Sequence, residues 1–301
     1  MNRERVVSAV TLLILLAGCG GDDDGGATPD GGDDPAADGG GGDRVTDYVP
    51  NRVGSIELVE DGSIGTTAIA ALRDKAQLPT ASLLASQGEC EIWTHPLAQA
   101  SCDPPCADGY CAATDECVPF PVLVDAGTIT VTGLTEALSF ASGEFGYQPD
   151  PEFPPEDLFA ADAVITAEAA GADADGFTLE AQGVPTLVAD LDLEFDTTLV
   201  LEDGVDREIR WTAEDAGTIQ LGVQVGWHGA AYEALLLCEA DDDGSLTIPG
   251  GLVTQFPRAS NGMEQHASWI ARITRDTVTI DGGPVELVVA SQVRIPQLRH
   301  D

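Results

Sequence analysis

The sequence is short of positive charge: Lys75 is its single lysine, and with twelve arginines it faces 52 acidic side chains, for a formal net charge of -39. Phosphate backbones are bound by basic footprints, so nucleic acid is excluded as a partner, and an anionic lipid surface repels the chain for the same reason. Catalytic signatures are missing as well. There is no G-x-S-x-G elbow, no P-loop, no dinucleotide fingerprint and no H-E-x-x-H, and His95, His228, His266 and His300 are scattered. No cofactor is therefore expected, and the expected role is not that of an enzyme. C-x-x-C is absent, which removes both a thioredoxin-like redox site and the usual zinc spacing. Helical periodicity is scarce; only Thr66 to Ala76, Thr80 to Gln87 and a turn near Gly250 to Phe256 are candidates for helix.

The N-terminus has its own pattern. Arg3 and Arg5 precede an apolar run from Val6 to Leu16, too short for a normal membrane span, and the small residues Ala17 and Gly18 lead into Cys19. That is the layout of a secretory signal. The segment Leu16-Ala17-Gly18-Cys19 resembles the lipobox of bacterial lipoproteins. The resemblance implies that residues 1–18 are removed and that Cys19 carries lipid, so the membrane is a partner through that lipid. Gly20 stands where an aspartate would favour inner-membrane retention in enteric-type lipoproteins, so the expected address is the outer membrane.

Residues 19–47 are rich in Gly, Asp, Pro and Ala. Such a stretch has too few apolar groups to offset the entropy of ordering and reads as a disordered tether reaching on the order of 30 Å. Residues 48–301 remain for one large β domain. Their acidity fits a high-GC genome and a surface kept soluble by charge, so it describes an environment more than a ligand.

Six further cysteines, Cys90, Cys102, Cys106, Cys111, Cys117 and Cys238, form an even set in an exported chain, which argues for disulfides. Four crowd into a loop at 101–119 that has little to pack. An interlocked arrangement similar to small EGF-like knots would join Cys102 to Cys111 and Cys106 to Cys117, leaving Cys90 and Cys238 as a long-range bridge between strands.

From Val53 onward, period-two alternation dominates, as in Thr128-Ile129-Thr130-Val131-Thr132, Ile219 to Val225, Glu208 to Trp211 and Val278 to Ile280. Short strands with regular turn signals describe an all-β fold, an antiparallel β-sandwich with a small disulfide-rich insertion. Tyr147 to Pro155 is too proline-rich for a central strand and reads as a loop. The pieces Gly127 to Leu134, Gly176 to Glu180 and Asp243 to Pro249 are similar to segments of uncharacterised, cysteine-containing β-sandwich lipoproteins of high-GC Gram-negative bacteria. That resemblance brings no activity with it.

Three acidic constellations carry some chemistry. Asp190, Asp192, Glu194 and Asp196 alternate with Leu191, Leu193 and Phe195, so a strand there would set four carboxylates on one face, at a spacing compatible with glycoside hydrolysis but more usual for a solvated face. Asp241, Asp242 and Asp243 before Gly244 offer oxygens to Ca²⁺ yet lack the EF-hand pattern, and Asp-Gly between apolar runs is tight-hairpin chemistry. Asp173 and Asp175 beside Gly171 and Gly176 read the same way. Trp227 with His228 could form a ligand platform at a strand end. The expected function is a lipid-anchored, non-enzymatic binding or structural module whose partner is an envelope protein or a polysaccharide. The alternatives are a Ca²⁺-dependent adhesion or carbohydrate-binding module and, further off, a hydrolase.

Overall fold

The computed structural model describes residues 51–62, 65–76, 80–94, 102–113, 115–144, 146–152, 154–155, 157–194, 197–227, 232–258, 263–265 and 268–301. Cys19, the signal, the tether, Asp196, His95, His228 and His266 lie outside them. All of the described residues belong to one unit, Arg44–Asp301.

Strand β1 (Gly54–Asp61) turns back into β2 (Gly65–Leu72), and β3 (Ser82–Gln87) into β4 (Cys90–Thr94). A separate hairpin follows, β5 (Gly109–Ala113) with β6 (Glu116–Pro119). Next come β7 (Ile129–Thr132), β8 (Leu138–Gly143), β9 (Gly146–Asp150), β10 (Val164–Ala169) and β11 (Phe177–Gln182). After the short strands β12 (Ala189–Asp190), β13 (Thr198–Leu201) and β14 (Arg207–Trp211) run the long β15 (Thr218–Trp227) and β16 (Tyr232–Asp241). The chain ends with β17 (Ser245–Ile248), helix α1 (Gly250–Gln255), β18 (Met263–Gln265), β19 (Ser268–Ile280), β20 (Gly283–Ile295) and β21 (Gln297–His300).

The fold is all-β. Its main wall is a nine-stranded sheet ordered β2-β1-β20-β19-β15-β16-β4-β3, with β18 also paired to β15. Alternation assigns its two faces. On the first, Ile56, Leu58, Val285, Leu287 and Val289 pack with Ile129, Val131, Phe140, Ile165 and Leu179 of the five-stranded sheet β11-β10-β7-β8-β9. Farther along the same face, Ile219, Leu221, Val223, Leu236 and Cys238 pack with Leu199, Ile209, Trp211, Leu246 and Leu298 from the small sheets β12-β14-β17 and β13-β21, and with Leu252 and Val253 of α1. One sheet thus serves two cores.

A buried ion pair sits among the strands and loops of that second core. Arg272 of β19 grips Asp242 with two bonds, Nε to Oδ2 at 2.8 Å and Nη2 to Oδ1 at 3.1 Å, and the side chains are 0% and 1% exposed. The rest of the guanidinium donates to the carbonyls of Pro185, Thr186 and Thr212. Asp242 also accepts from the Trp211 indole at 2.7 Å and from the N–H groups of Glu214 and Ala216. The edge strand β11 is tied to β19 in the same manner: the Glu180 N–H donates to Asp276 and the Gln182 N–H to Thr274.

Among the described residues pairing is antiparallel except for β1 with β20 and β13 with β21, which run parallel. Cys90 and Cys238 stand opposite each other on β4 and β16 and are bridged, while Cys102 joins Cys111 and Cys106 joins Cys117 in the protruding insertion.

Four local expectations are corrected. Thr66 to Ala76 and Thr80 to Gln87 hold strands β2 and β3 rather than helices. In β2, eight consecutive pairings with β1 override the helix preference of Ala68, Ala70, Ala71 and Leu72. The proline-rich stretch is not all loop: Gly146–Asp150 is β9, at the edge of its sheet, where Pro149 leaves no ladder donor missing. Buried Tyr147 fixes that edge, its hydroxyl accepting from the Ala126 N–H at 2.7 Å. The carboxylate row also fails, because the strand ends at Asp190 and Asp192 takes φ 44°, so Asp190, Asp192 and Glu194 do not share a strand face. Finally, Asp241 to Gly244 is not a tight hairpin. The two flanking strands belong to different sheets, and Gly244, at φ 107°, lets the chain cross between them. Asp173 and Asp175 do lie in a hairpin loop, between the paired strands β10 and β11.

Candidate functional site

The second face of the large sheet carries a half-open hollow. On β1, β15, β19 and β20 the alternate residues Ser55, Glu57, Val59, Gln220, Gln224, Trp269, Ala271, Ile273, Arg275, Glu286, Val288, Ala290 and Gln292 line a cavity of about 540 Å³. Asn51, just before β1, exchanges two hydrogen bonds with the backbone of Ala81, just before β3, at 3.1 and 2.7 Å. Strands β1 and β3 stand near opposite edges of the sheet, so this contact requires the sheet to bend around the second face, and the cavity is the hollow of that bend.

Its floor is apolar and small, made by Val59, Val288, Ala290, Ala271 and Ile273. Its walls are charged. Arg52 Nη1 donates to Glu286 Oε2 at 2.8 Å, and Arg52 Nη2 pairs with Glu57. Arg275 pairs with Glu239 and lies 3.9 Å from Glu286 Oε1. Gln220 donates to Glu239 at 2.6 Å, and the Trp269 indole donates to Gln220 at 3.3 Å. One connected network thus runs from β1 to β16. Glu239 is 0% and Glu286 1% exposed, burial that is tolerable for carboxylates only because guanidiniums face them.

The network leaves specific groups unused. Glu286 Oε1 is buried without a hydrogen-bond donor. Arg73 and the Gln224 side chain line the cavity, and neither has a hydrogen bond or ion pair from its side chain among the described residues.

Gly222 positions the wall. A Cβ on it would fall 2.3 Å from Trp269 Cζ2, so the indole lies directly on the β15 backbone. Gly222→Ala is expected to displace Trp269, break its bond to Gln220 and shift the intrinsic tryptophan emission, with a stability cost of about 1 to 3 kcal/mol; an unchanged spectrum would place the indole elsewhere.

The acidic turn after β16 is a poor cation site. Asp242 is committed to Arg272, and no three carboxylate or imidazole groups among the described residues bring their donor atoms within 4.8 Å of one another. Among the described residues Cys102, Cys106 and Cys117 alone converge so closely, and all three are in disulfides. Burial, with Asp243 and then Asp241 beside it, holds the Glu89 carboxyl above its ordinary value. A raised acid stabilises the fold while protonated and loses that contribution as pH rises through its folded pKa. Glu89→Gln should therefore raise the melting temperature at about pH 7 and give no gain at about pH 3. A gain of equal size at both values would contradict this origin.

Of the other residues singled out in the sequence, Trp227 ends β15, but its side chain is outside the described set together with His228. His300 ends β21, half-buried, its Nε2 3.0 Å from Asp203 Oδ1. The cavity residues were missed. The signal was present in β20, where Val285-Glu286-Leu287-Val288-Val289-Ala290 is apolar in both phases: a strand covered on both faces buries any charge it carries. No protein-family model, curated protein or solved structure matches the chain.

Proposed function

We propose that the chain is an exported lipoprotein, held by lipid on Cys19 to the outer membrane, and that its β domain is a non-enzymatic binding module whose ligand occupies the cavity on the second face of the large sheet. The observation that carries the binding role is the lining. A hollow of about 540 Å³ falls in the range of small-molecule sites, roughly 300 to 1,000 Å³, and it has an apolar floor, an indole wall and a few convergent polar groups. The address rests on the resemblance of Leu16 to Cys19 to a lipobox and is supported by three disulfides, bonds that persist outside the reducing cytoplasm. The calcium-dependent alternative draws no support from the turn at Asp241 to Asp243.

A melting-temperature screen of a small-molecule library, run on the purified full chain and on Ala290→Trp, tests the binding role. Ala290 is part of the floor, so an indole there fills the hollow. A ligand at about 100 times its Kd adds about 2.7 kcal/mol, or about 5 to 10 °C. Compounds that stabilise the wild type and leave Ala290→Trp unmoved support the reading. Compounds that stabilise both proteins equally, or an exhaustive screen without a stabiliser, count against it.

A further inference from the structure

One charge in the cavity has nothing opposite it. The chain carries 52 acidic against 13 basic residues, so an arginine without a carboxylate partner is conspicuous. Every other arginine of the described residues is paired with a carboxylate. Arg73 is not, and it lines the hollow, half-buried. The carboxylates nearby are already in use: Arg52 holds Glu57 and Glu286, and Arg275 holds Glu239. Glu239 and Glu286 are moreover 0% and 1% exposed, out of a ligand's reach. The Arg73 N–H donates to the Val53 carbonyl at 2.8 Å, which places Arg73 beside the start of β1. Val59 lies six residues farther on, about 20 Å along the strand, and stands beside Ala290, itself opposite Ile273. The unpaired charge thus belongs to one end of the hollow and the apolar floor to the other.

We infer that the cavity takes a small aliphatic monocarboxylate: its carboxylate accepts from Arg73, and its hydrocarbon body lies along the floor of Val59, Val288, Ala290 and Ile273. This rests on the cavity being the binding site of the module. A guanidinium fork matches a carboxylate with two parallel bonds, and such charge-assisted bonds are the strong ones. A cation would meet Arg73 and no carboxylate that lacks a guanidinium. A neutral saccharide would leave the Arg73 charge uncompensated and set its hydroxyls on a floor that cannot hydrogen-bond them. A dianion would bring a second negative charge toward Glu57, which has only the guanidinium it shares with Glu286.

The test is calorimetry on the purified full chain with three probes that share a tail and differ in the head: octanoate, octanol and octylamine. Octanoate should bind at submillimolar Kd, octanol should be weaker by about tenfold or more, and octylamine, a cation at neutral pH, should be silent. Arg73→Gln breaks no side-chain bond among the described residues, so its melting temperature should stay within about 2 °C of wild type. In that variant octanoate should weaken to the level of octanol, whose own binding is unchanged. Arg73→Lys keeps the charge without the fork and should recover part of the difference. Ala290→Trp and Gln224→Trp each put an indole in the hollow and should abolish binding of both probes; the second replaces a side chain with no partner among the described residues, so it serves if the first does not fold. Octanol or octylamine binding as tightly as octanoate would overturn the carboxylate, and would leave the cavity as a site if a tryptophan variant abolishes that binding. No octanoate heat at about 10 mM, or undiminished octanoate binding by Arg73→Gln, would overturn it as well. Octanoate binding that neither tryptophan variant alters would remove the cavity itself.

Discussion

Arg272→Ala is expected to lower the folding stability by about 3 to 5 kcal/mol, and Asp242→Ala by a similar amount, the usual cost of stranding one member of a buried ion pair. For a domain of this size that is a fall of about 6 to 20 °C in melting temperature. The geometry explains the magnitude. Arg272 satisfies Asp242 with two bonds and three backbone carbonyls with the rest of its fork, so alanine leaves a carboxylate and those carbonyls without partners in a dry interior. Removing both charges together, as in Arg272→Met with Asp242→Leu, should cost less than the sum of the single changes, because no charge remains uncompensated. The same pair gives the fold an acid limit. Burial alone would push the Asp242 carboxyl up, but Arg272, the Ala216 N–H and the Trp211 indole outweigh it and hold the group below its ordinary value. A depressed acid contributes stability above its unfolded pKa and loses it as pH falls through the folded value. Denaturant melts should therefore show wild-type stability dropping in strong acid, while Asp242→Asn, already weakened, shows a flatter dependence there. Single substitutions that cost under about 1 kcal/mol would mean that water reaches this pair.

The second large effect belongs to the bridge between Cys90 and Cys238. The two cysteines are 148 residues apart in sequence and directly opposite on β4 and β16. Closing so long a loop restricts the unfolded chain strongly, so replacing both by alanine should cost about 3 to 5 kcal/mol, part of it from the gap left in the core. The insertion behaves differently. Its bridges span only 9 and 11 residues and tie the loop before β5 to the hairpin of β5 and β6, so replacing Cys102 and Cys111 should loosen the insertion and leave the main melting transition within about 2 °C of wild type. Differential scanning calorimetry of the two variants separates these outcomes. Equal losses would mean that the insertion is part of the main cooperative unit.

The fold class was legible because most strands keep one face dry and the other polar, as in Phe177 to Gln182, whose burial alternates along its whole length. What resisted reading were segments decided by distant partners. Ala68 to Leu72 is helix-prone by composition and becomes strand only because β1 lies beside it. Pro149 argues against a strand until an edge position makes its missing N–H harmless. Asp241-Asp242-Asp243 looks uniformly solvated, yet Asp242 continues the inward phase of Cys238 and Ala240 and meets Arg272, thirty residues away. The candidate site was less legible than the fold. Arg275, Glu239 and Glu286 occupy polar phases that ordinarily face water, and only the bend of the sheet, fixed by Asn51 with Ala81, turns that face into a hollow.

The reading of the chain as a lipid-held binding module outside the cytoplasm is tested most directly by intact-mass spectrometry of the protein recovered from the membrane fraction, before and after reduction. The account predicts a polypeptide that starts at an acylated Cys19 and gains the mass of two hydrogens for each bridge when reduced. A species that starts at Met1 with free thiols, recovered from the cytosol, would contradict it.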